Sequence, residues 1–251
     1  MSAVFDRSGR GRGLFVQFFR MFSLKTLADN TRSDSLANRL RRKRFAYFRA
    51  LLAAVPRPLR ILDVGGAQDF WLKMGFGDEQ GVTIVITNIS DAPLTLIPHD
   101  GATKFESVWA DGRDLSQFND GEFDVVFSNS VIEHVGELAD QEAMMKEVMR
   151  VGKRYWVQTP NYWFPVEPHF HFIGFQFLPI SARAWLLHHF SLGWAPKQSS
   201  IEQGRLVAKQ TRLMTRQEIA RTDPEASFYN EKFLGLVKSF SMFKGWDVGR
   251  V

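Results

Sequence analysis

The sequence predicts an α/β fold: a mostly parallel sheet covered by helices on both faces. Three observations lead there. Five short runs between residues 59 and 159 are apolar on both faces, helical-period segments lie among them, and four of the runs end in small or polar residues.

The elements follow in order. Residues 1–35 are rich in Arg, Ser and Gly and read as a loose basic arm with a short helix near 13–23. Residues 36–54 read as a helix, because Leu36, Leu40, Phe45, Phe48 and Leu52 recur at helical spacing and Pro56 and Pro58 stop it. Strands are expected from Leu59 into Gly65–Gly66, then over 82–87, 105–110, 123–128 and 154–159. A helix near 138–150 carries Met144, Met145, Val148 and Val151 on its apolar side. After Pro160 the chain turns aromatic, His-containing and Pro-punctuated, and residues 161–200 are too long for a plain connection, so a cap insertion is expected there. Helical character returns near 180–191, and Thr215 with Glu218 three residues on opens a short helix over 215–221. Residues 226–232 and 236–248 read as two last strands.

The length of 251 residues suits one large domain with a cap. The absence of cysteine excludes disulfides, thiolate catalysis, Fe–S clusters and cysteine–zinc sites, and the default compartment is the cytoplasm. Net charge is +5 but uneven: residues 1–60 hold 14 basic and 3 acidic side chains, leaving 18 basic and 24 acidic for the rest. Such an arm suits an anionic membrane, nucleic acid, or simply a solvated helix. Phe15, Phe18, Phe19 and Phe22 suit an interfacial segment, yet no run reaches the 18 apolar residues of a membrane span.

The strand ends carry the chemistry. Gly65 and Gly66 allow a tight turn and close backbone approach to a ligand, while Asp63 can hold that turn or reach a cationic group through water. The loop cannot be written as G-x-G-x-x-G, no P-loop lysine follows, and Asp69 near the next helix start suits a cation better than a pyrophosphate. Asn88 stands where a ribose-binding carboxylate commonly sits, with Asp91 three residues on. Asp111 can accept from an adenine amino group while the Gly112 N–H donates to a ring nitrogen. Ser128–Asn129–Ser130–Val131–Ile132–Glu133–His134 closes the fourth strand.

Together, ILDVGGAQDF (61–70), VITNIS (85–90), WADGRDL (109–115), FDVVFSNSVIEHV (123–135) and KRYWVQTPNYW (153–163) resemble the class I S-adenosylmethionine-dependent methyltransferases, over residues 45–160. The "SNSVIEHV…TPN" pair is similar to the small-molecule branch that includes the ubiquinone-biosynthesis O-methyltransferases. The resemblance implies a Rossmann-like seven-stranded sheet, mostly parallel with an antiparallel last strand. It implies an enzyme that uses S-adenosyl-L-methionine on a small or lipid-like acceptor, more at oxygen than at nitrogen. It also implies a cofactor site of Asp63, Gly65, Gly66, Ala67, Asn88, Ile89, Asp111, Gly112 and Asn129. This chain departs from the pattern at Ala67 and Asp69, where glycines are usual, and at Asn88, where the ribose ligand is usually acidic. In the ubiquinone branch a carboxylate three residues before the Glu–His pair helps bind a cation; here it is Ser130, so no metal site is expected.

Methyl transfer to a hydroxyl needs in-line alignment and a proton acceptor, and neutral imidazole serves near neutral pH. His134, His169 and His171 are the candidates. Glu167, His169 and His171, at i, i+2, i+4, share one face of an extended segment; they can contact substrate, bind a metal or hold the insertion shut. Tyr162, Trp163, Phe164, Phe170, Phe172, Phe175 and Phe177 can close an aromatic pocket or pack the lid, and the uncharged run 170–182 can touch a membrane. An RNA methyltransferase and a non-catalytic S-adenosylmethionine-binding scaffold are the alternatives; against nucleic acid, no Asn/Asp-Pro-Pro-aromatic motif follows the fourth strand. Nothing in the sequence specifies an oligomeric state.

Overall fold

A computed structural model of the chain describes residues 36–247. The basic arm, its expected helix and phenylalanines, and the last residue of the expected final strand lie outside these residues. The chain divides into two units, Met1–Arg41 and Arg42–Val251, and helix α1 (Leu36–Leu52) begins in the first and ends in the second. All that follows concerns the second unit.

Seven strands form one sheet: β1 (Leu59–Val64), β2 (Val82–Asn88), β3 (Lys104–Trp109), β4 (Val125–Asn129), β5 (Tyr155–Pro160), β8 (Ser227–Phe233) and β9 (Leu236–Lys244). Their order is β3-β2-β1-β4-β5-β9-β8. The first five strands run parallel, whereas β9 is antiparallel to β5 and to β8. The chain winds outward from β1 to β3 and then returns to place β4 beside β1. A crevice opens at such a reversal, outside the carboxyl ends of the strands.

Alternation along the strands divides the core between the two faces. Ile61, Ile84, Ile86, Val125 and Phe127 pack with Phe48 and Leu52 of α1 and with Trp71 of α2 (Gln68–Lys73). Leu62, Val64, Val126 and Val157 pack instead with Met144, Met145, Val148 and Val151 of α4 (Leu138–Val151). Neighbours in one strand thus serve opposite layers, which is what apolar runs in a doubly covered sheet require. Between β2 and β3 lies a single-turn helix, α3 (Asp91–Leu94).

The insertion between β5 and the last hairpin contains the two-residue strands β6 (Val166–Glu167) and β7 (Phe172–Ile173), then helices α5 (Ile180–His189) and α6 (Ile201–Lys209). Phe170, Phe175, Leu187 and Ala208 form its own small core. Because α6 packs on α5, the inserted material continues beyond the expected limit of residue 200. Its two ends meet: the Tyr162 N–H donates to the Met214 carbonyl at 3.1 Å. Asn161 Nδ2 ties the same point to the sheet, donating to the Val237 carbonyl of β9 at 2.8 Å. Helix α7 (Arg216–Thr222) follows with the expected cap, Thr215 Oγ1 accepting from the Glu218 N–H at 3.1 Å.

The basic run in α1 is only partly a solvated face. Arg44 is buried; its guanidinium contacts Glu231 Oε2 at 2.5 Å and Asn129 Oδ1 at 2.9 Å. Burial raises the Glu231 carboxyl, but Arg44 and Lys238 outweigh it and hold the group below the usual carboxylate range.

Candidate active site

The first strand end is built with no spare room. Gly65 adopts φ +75° and donates its N–H to the Thr87 carbonyl at 2.7 Å. A Cβ on Gly65 would lie 2.4 Å from Val131 Cγ1, and one on Gly66 would lie 1.7 Å from Asp63 Oδ2. Packing against Val131 and Asp63 therefore restricts both positions to glycine. Asp63 points inward, where its Oδ2 accepts from Trp71 Nε1 at 2.7 Å. Burial pushes the Asp63 carboxyl up to about 7, against the opposing Trp71 hydrogen bond. The carboxylate thus ties the end of β1 to α2. Ala67 caps α2, and the next residue, Gln68, fastens the segment after α3 by exchanging two hydrogen bonds with the Ile97 backbone.

The next strand ends lean on this turn. Asn88 Nδ2 donates to the Gly66 carbonyl at 3.2 Å, while its Oδ1 accepts from the Ser90 N–H. Ile89 beside it is exposed. A Cβ on Gly112 would meet Val64 Cγ1 at 2.9 Å, so the loop after β3 also packs against the end of β1. Asp111 is gripped by Arg113, whose Nε reaches both carboxylate oxygens at 3.0 and 3.1 Å. This hydrogen bonding holds Asp111 below the usual carboxylate range despite partial burial. Arg113 also reaches Asp140 Oδ1 at 3.1 Å, a link that periodicity could not reveal. The Asn129 side chain is bound to Arg44.

Beyond β4 the chain forms a 3-10 turn, Ile132–His134. Glu133 is fully buried; Thr159 Oγ1 donates to its Oε2 at 2.9 Å, while Oε1 is buried without a hydrogen-bond partner. Burial raises the Glu133 carboxyl, with His134 and His169 opposing. His134 Nδ1 lies 3.1 Å from the Gln210 carbonyl, and its ring meets that of His169 edge-on, with centroids 4.8 Å apart. His169 Nδ1 lies 2.7 Å from Glu167 Oε1, and Glu167 Oε2 also accepts from the backbone N–H groups of His169 and Phe170. Burial pulls the His169 imidazole down, but Glu167 and then Glu133 more than compensate, and the group is raised.

Glu167, His169 and His171 do not share one face. His171 sits at φ +48° in the turn between β6 and β7, which breaks the alternation, and its ring packs on Trp194. His134 and His169 come together; His171 does not join them. Glu133, which sequence reasoning treated only as part of a motif, is the third member of the cluster. Its burial was hidden because the strand-end turn gives no periodic signal.

Beside the cluster lies a cavity of about 450 Å³ lined in part by Tyr162, Trp163, Phe170 and Phe175, with Arg183 and Arg212. Phe164, Phe172 and Phe177 are not among its lining residues. Glu167 and Thr211, which contact His169 and His134 respectively, line it too.

Residues 62–155 match the family model described as a methyltransferase domain. No curated protein matches the chain. Among solved structures, similar ones include a SAM-dependent methyltransferase from Methanosarcina mazei (14% identity, 77% of this chain and 95% of that one, TM-score 0.49). A second is magnesium protoporphyrin IX methyltransferase from Synechocystis PCC 6803 with bound SAH (12% identity, 82% and 83%, TM-score 0.48). A third, from Rhodobacter sphaeroides, is described as a zinc-dependent alcohol dehydrogenase (9% identity, 78% and 86%, TM-score 0.50). At such identities likeness extends to the fold alone, and fold does not carry substrate. The sheet order and the domain match support a catalytic methyltransferase with S-adenosylmethionine as cofactor: the chain has the class I S-adenosylmethionine-dependent methyltransferase fold.

Proposed function

We propose that this protein methylates a hydroxyl oxygen of a small, partly apolar acceptor held in the cavity lined by the insertion. The observation that carries the proposal is the convergence of Glu133, His134 and His169 next to that aromatic-lined cavity. S-adenosylmethionine supplies an electrophilic methyl group on a sulfonium. The tight turn at Gly65, Gly66 and Ala67 fits the cofactor's methionine and sugar, with Asn88 and Ile89 at the ribose. Asp111 and Gly112 fit the adenine, and Asn129 lies at the carboxyl end of β4. The fit rests on the first turn, where any side chain would strike Val131 or Asp63.

The remaining task is alignment and proton removal. The cavity walls hold the acceptor, and the imidazole–carboxylate cluster receives its hydroxyl. The likeness of "SNSVIEHV…TPN" to the ubiquinone-biosynthesis branch supports oxygen over nitrogen. Exposed Trp163 and Phe177 on the insertion support access for a lipid-like acceptor and contact with a membrane surface. Among the described residues no helix is long and apolar enough to cross a membrane.

Titration calorimetry with S-adenosylmethionine should give one site, weakened about tenfold or more by Asp111→Ala, about 1.4 kcal/mol. Labelled methyl should pass to hydroxylated aromatic or isoprenoid-like acceptors. Transfer to purified RNA instead, or cofactor binding with no transfer to any such acceptor, would overturn the proposal.

A further inference from the structure

We infer that Glu133, His134 and His169 form a binding site for a divalent transition cation of the zinc type. Each residue offers one ligand atom, and among the described residues these three atoms lie within 4.8 Å of one another. Tetrahedral ligands about 2.0–2.2 Å from zinc stand about 3.3–3.6 Å apart, so small side-chain rotations close the set.

Three features point to a cation rather than to simple packing. The first is Glu133 Oε1, buried and unpartnered while Thr159 anchors the other oxygen. A buried acceptor with no donor is costly, and a cation satisfies it. The second is the orientation of the two imidazoles. His169 Nδ1 faces the Glu167 carboxylate and His134 Nδ1 faces the Gln210 carbonyl, both acceptors. Each ring therefore carries its proton on Nδ1 and leaves the Nε2 lone pair for a metal, the arrangement in which outer acceptors fix metal-bound histidines. The third is the tight hold on Glu167: its carboxylate takes two backbone N–H groups besides the His169 ring, so His169 is positioned before any ligand arrives.

The donor set selects the ion. Two imidazole nitrogens and one carboxylate oxygen suit zinc and its first-row neighbours, whereas magnesium and calcium prefer oxygen-only shells. Three protein ligands leave a fourth position. Glu167 and Thr211, partners of the two histidines, also line the 450 Å³ cavity, so that position borders the acceptor's space. The expectation of no metal rested on Ser130 standing where a carboxylate would be. The third ligand comes instead from the insertion, 35 residues downstream of His134. A cation here would also fasten the β6–β7 turn to the end of β4.

The inference alters the proposed reaction in one respect: with a cation held by both imidazoles, the acceptor hydroxyl would meet the fourth position instead of a free imidazole nitrogen. Its test uses neither cofactor nor acceptor. The untagged full chain, stripped with chelator, is titrated calorimetrically with Zn²⁺ alone and, separately, with Co²⁺ to read the visible bands of a tetrahedral nitrogen–oxygen site. One equivalent should bind at micromolar concentration or tighter and raise the melting temperature. His134→Ala and His169→Ala should each weaken binding at least a hundredfold, and Glu167→Gln, which keeps the side-chain shape, about tenfold. His188→Ala, outside the cluster, should leave it unchanged, and circular dichroism checks that each variant folds. The inference is overturned if the wild-type chain binds no zinc, if binding survives in both folded cluster variants, or if Mg²⁺ binds in preference. A chain that binds S-adenosylmethionine but no zinc refutes this site and leaves the proposed methyl transfer standing.

Discussion

Asp63→Asn should change how stability depends on pH. The carboxyl titrates near 3.8 in the unfolded chain and is pushed up to about 7 in the fold by burial. Below the lower value it is neutral in both states and burial costs nothing in ionisation. As pH rises, the unfolded chain ionises while the folded one does not, and stability falls until pH passes about 7, after which the loss is complete. At 1.36 kcal/mol per pKa unit the whole loss is about 4 kcal/mol, of which about 2–3 kcal/mol falls between pH 5 and 8. Asparagine keeps an acceptor for Trp71 Nε1, which donates to Asp63 at 2.7 Å, and cannot ionise. Urea unfolding followed by tryptophan fluorescence should therefore show the variant gaining on wild type by about 2–3 kcal/mol from pH 5 to pH 8. If the two stabilities run parallel across that range within about 0.5 kcal/mol, Asp63 is ionised in the fold and the reasoning fails.

Gly66→Ala places a Cβ 1.7 Å from the Asp63 carboxyl, so the turn must shift; a loss of about 1–3 kcal/mol and a fall in cofactor affinity should follow, read by thermal melting and calorimetry. Arg44→Met leaves Glu231 buried beside Lys238 alone; about 3 kcal/mol should be lost, with most of it recovered in Arg44→Met/Glu231→Leu. Tyr155→Phe removes the hydroxyl that donates to Asp223 at 2.9 Å, and chemical denaturation should show a loss of about 1 kcal/mol.

The parallel core was legible because its strands are covered on both faces. Ile61 and Leu62, or Val125 and Val126, serve opposite layers, so an apolar run marks each strand without needing a partner. The α7 cap was legible because Thr215 and Glu218 act locally. Helix α6 escaped notice because Gly204 interrupts its helical propensity. A Cβ there would lie 2.5 Å from the Ala184 carbonyl, and this close approach to α5 is a tertiary reason invisible in the sequence. Strands β6 and β7, two residues each, are too short for any period.

In the site, the polar strand ends were readable one by one, but their hydrogen-bond partners were not. Asp111 pairs with Arg113 two residues away, whereas Asn129 binds Arg44 from a run that reads as solvent-facing. The meeting of Glu133 with His169 depends on a tertiary contact between the end of β4 and the β6–β7 turn, which lie far apart in sequence.

The meeting of the insertion's two ends at Tyr162 and Met214 has a consequence for evolution and engineering. A segment that leaves and re-enters a scaffold at one point can be lengthened, shortened or exchanged without re-registering the strands beneath it. The sheet and its cofactor-side turns can thus stay constant while the acceptor chamber is replaced wholesale. Because His169 travels with that replaceable piece and Glu133 and His134 do not, an exchanged lid would keep the cluster only where it returns a ligating side chain to the same point.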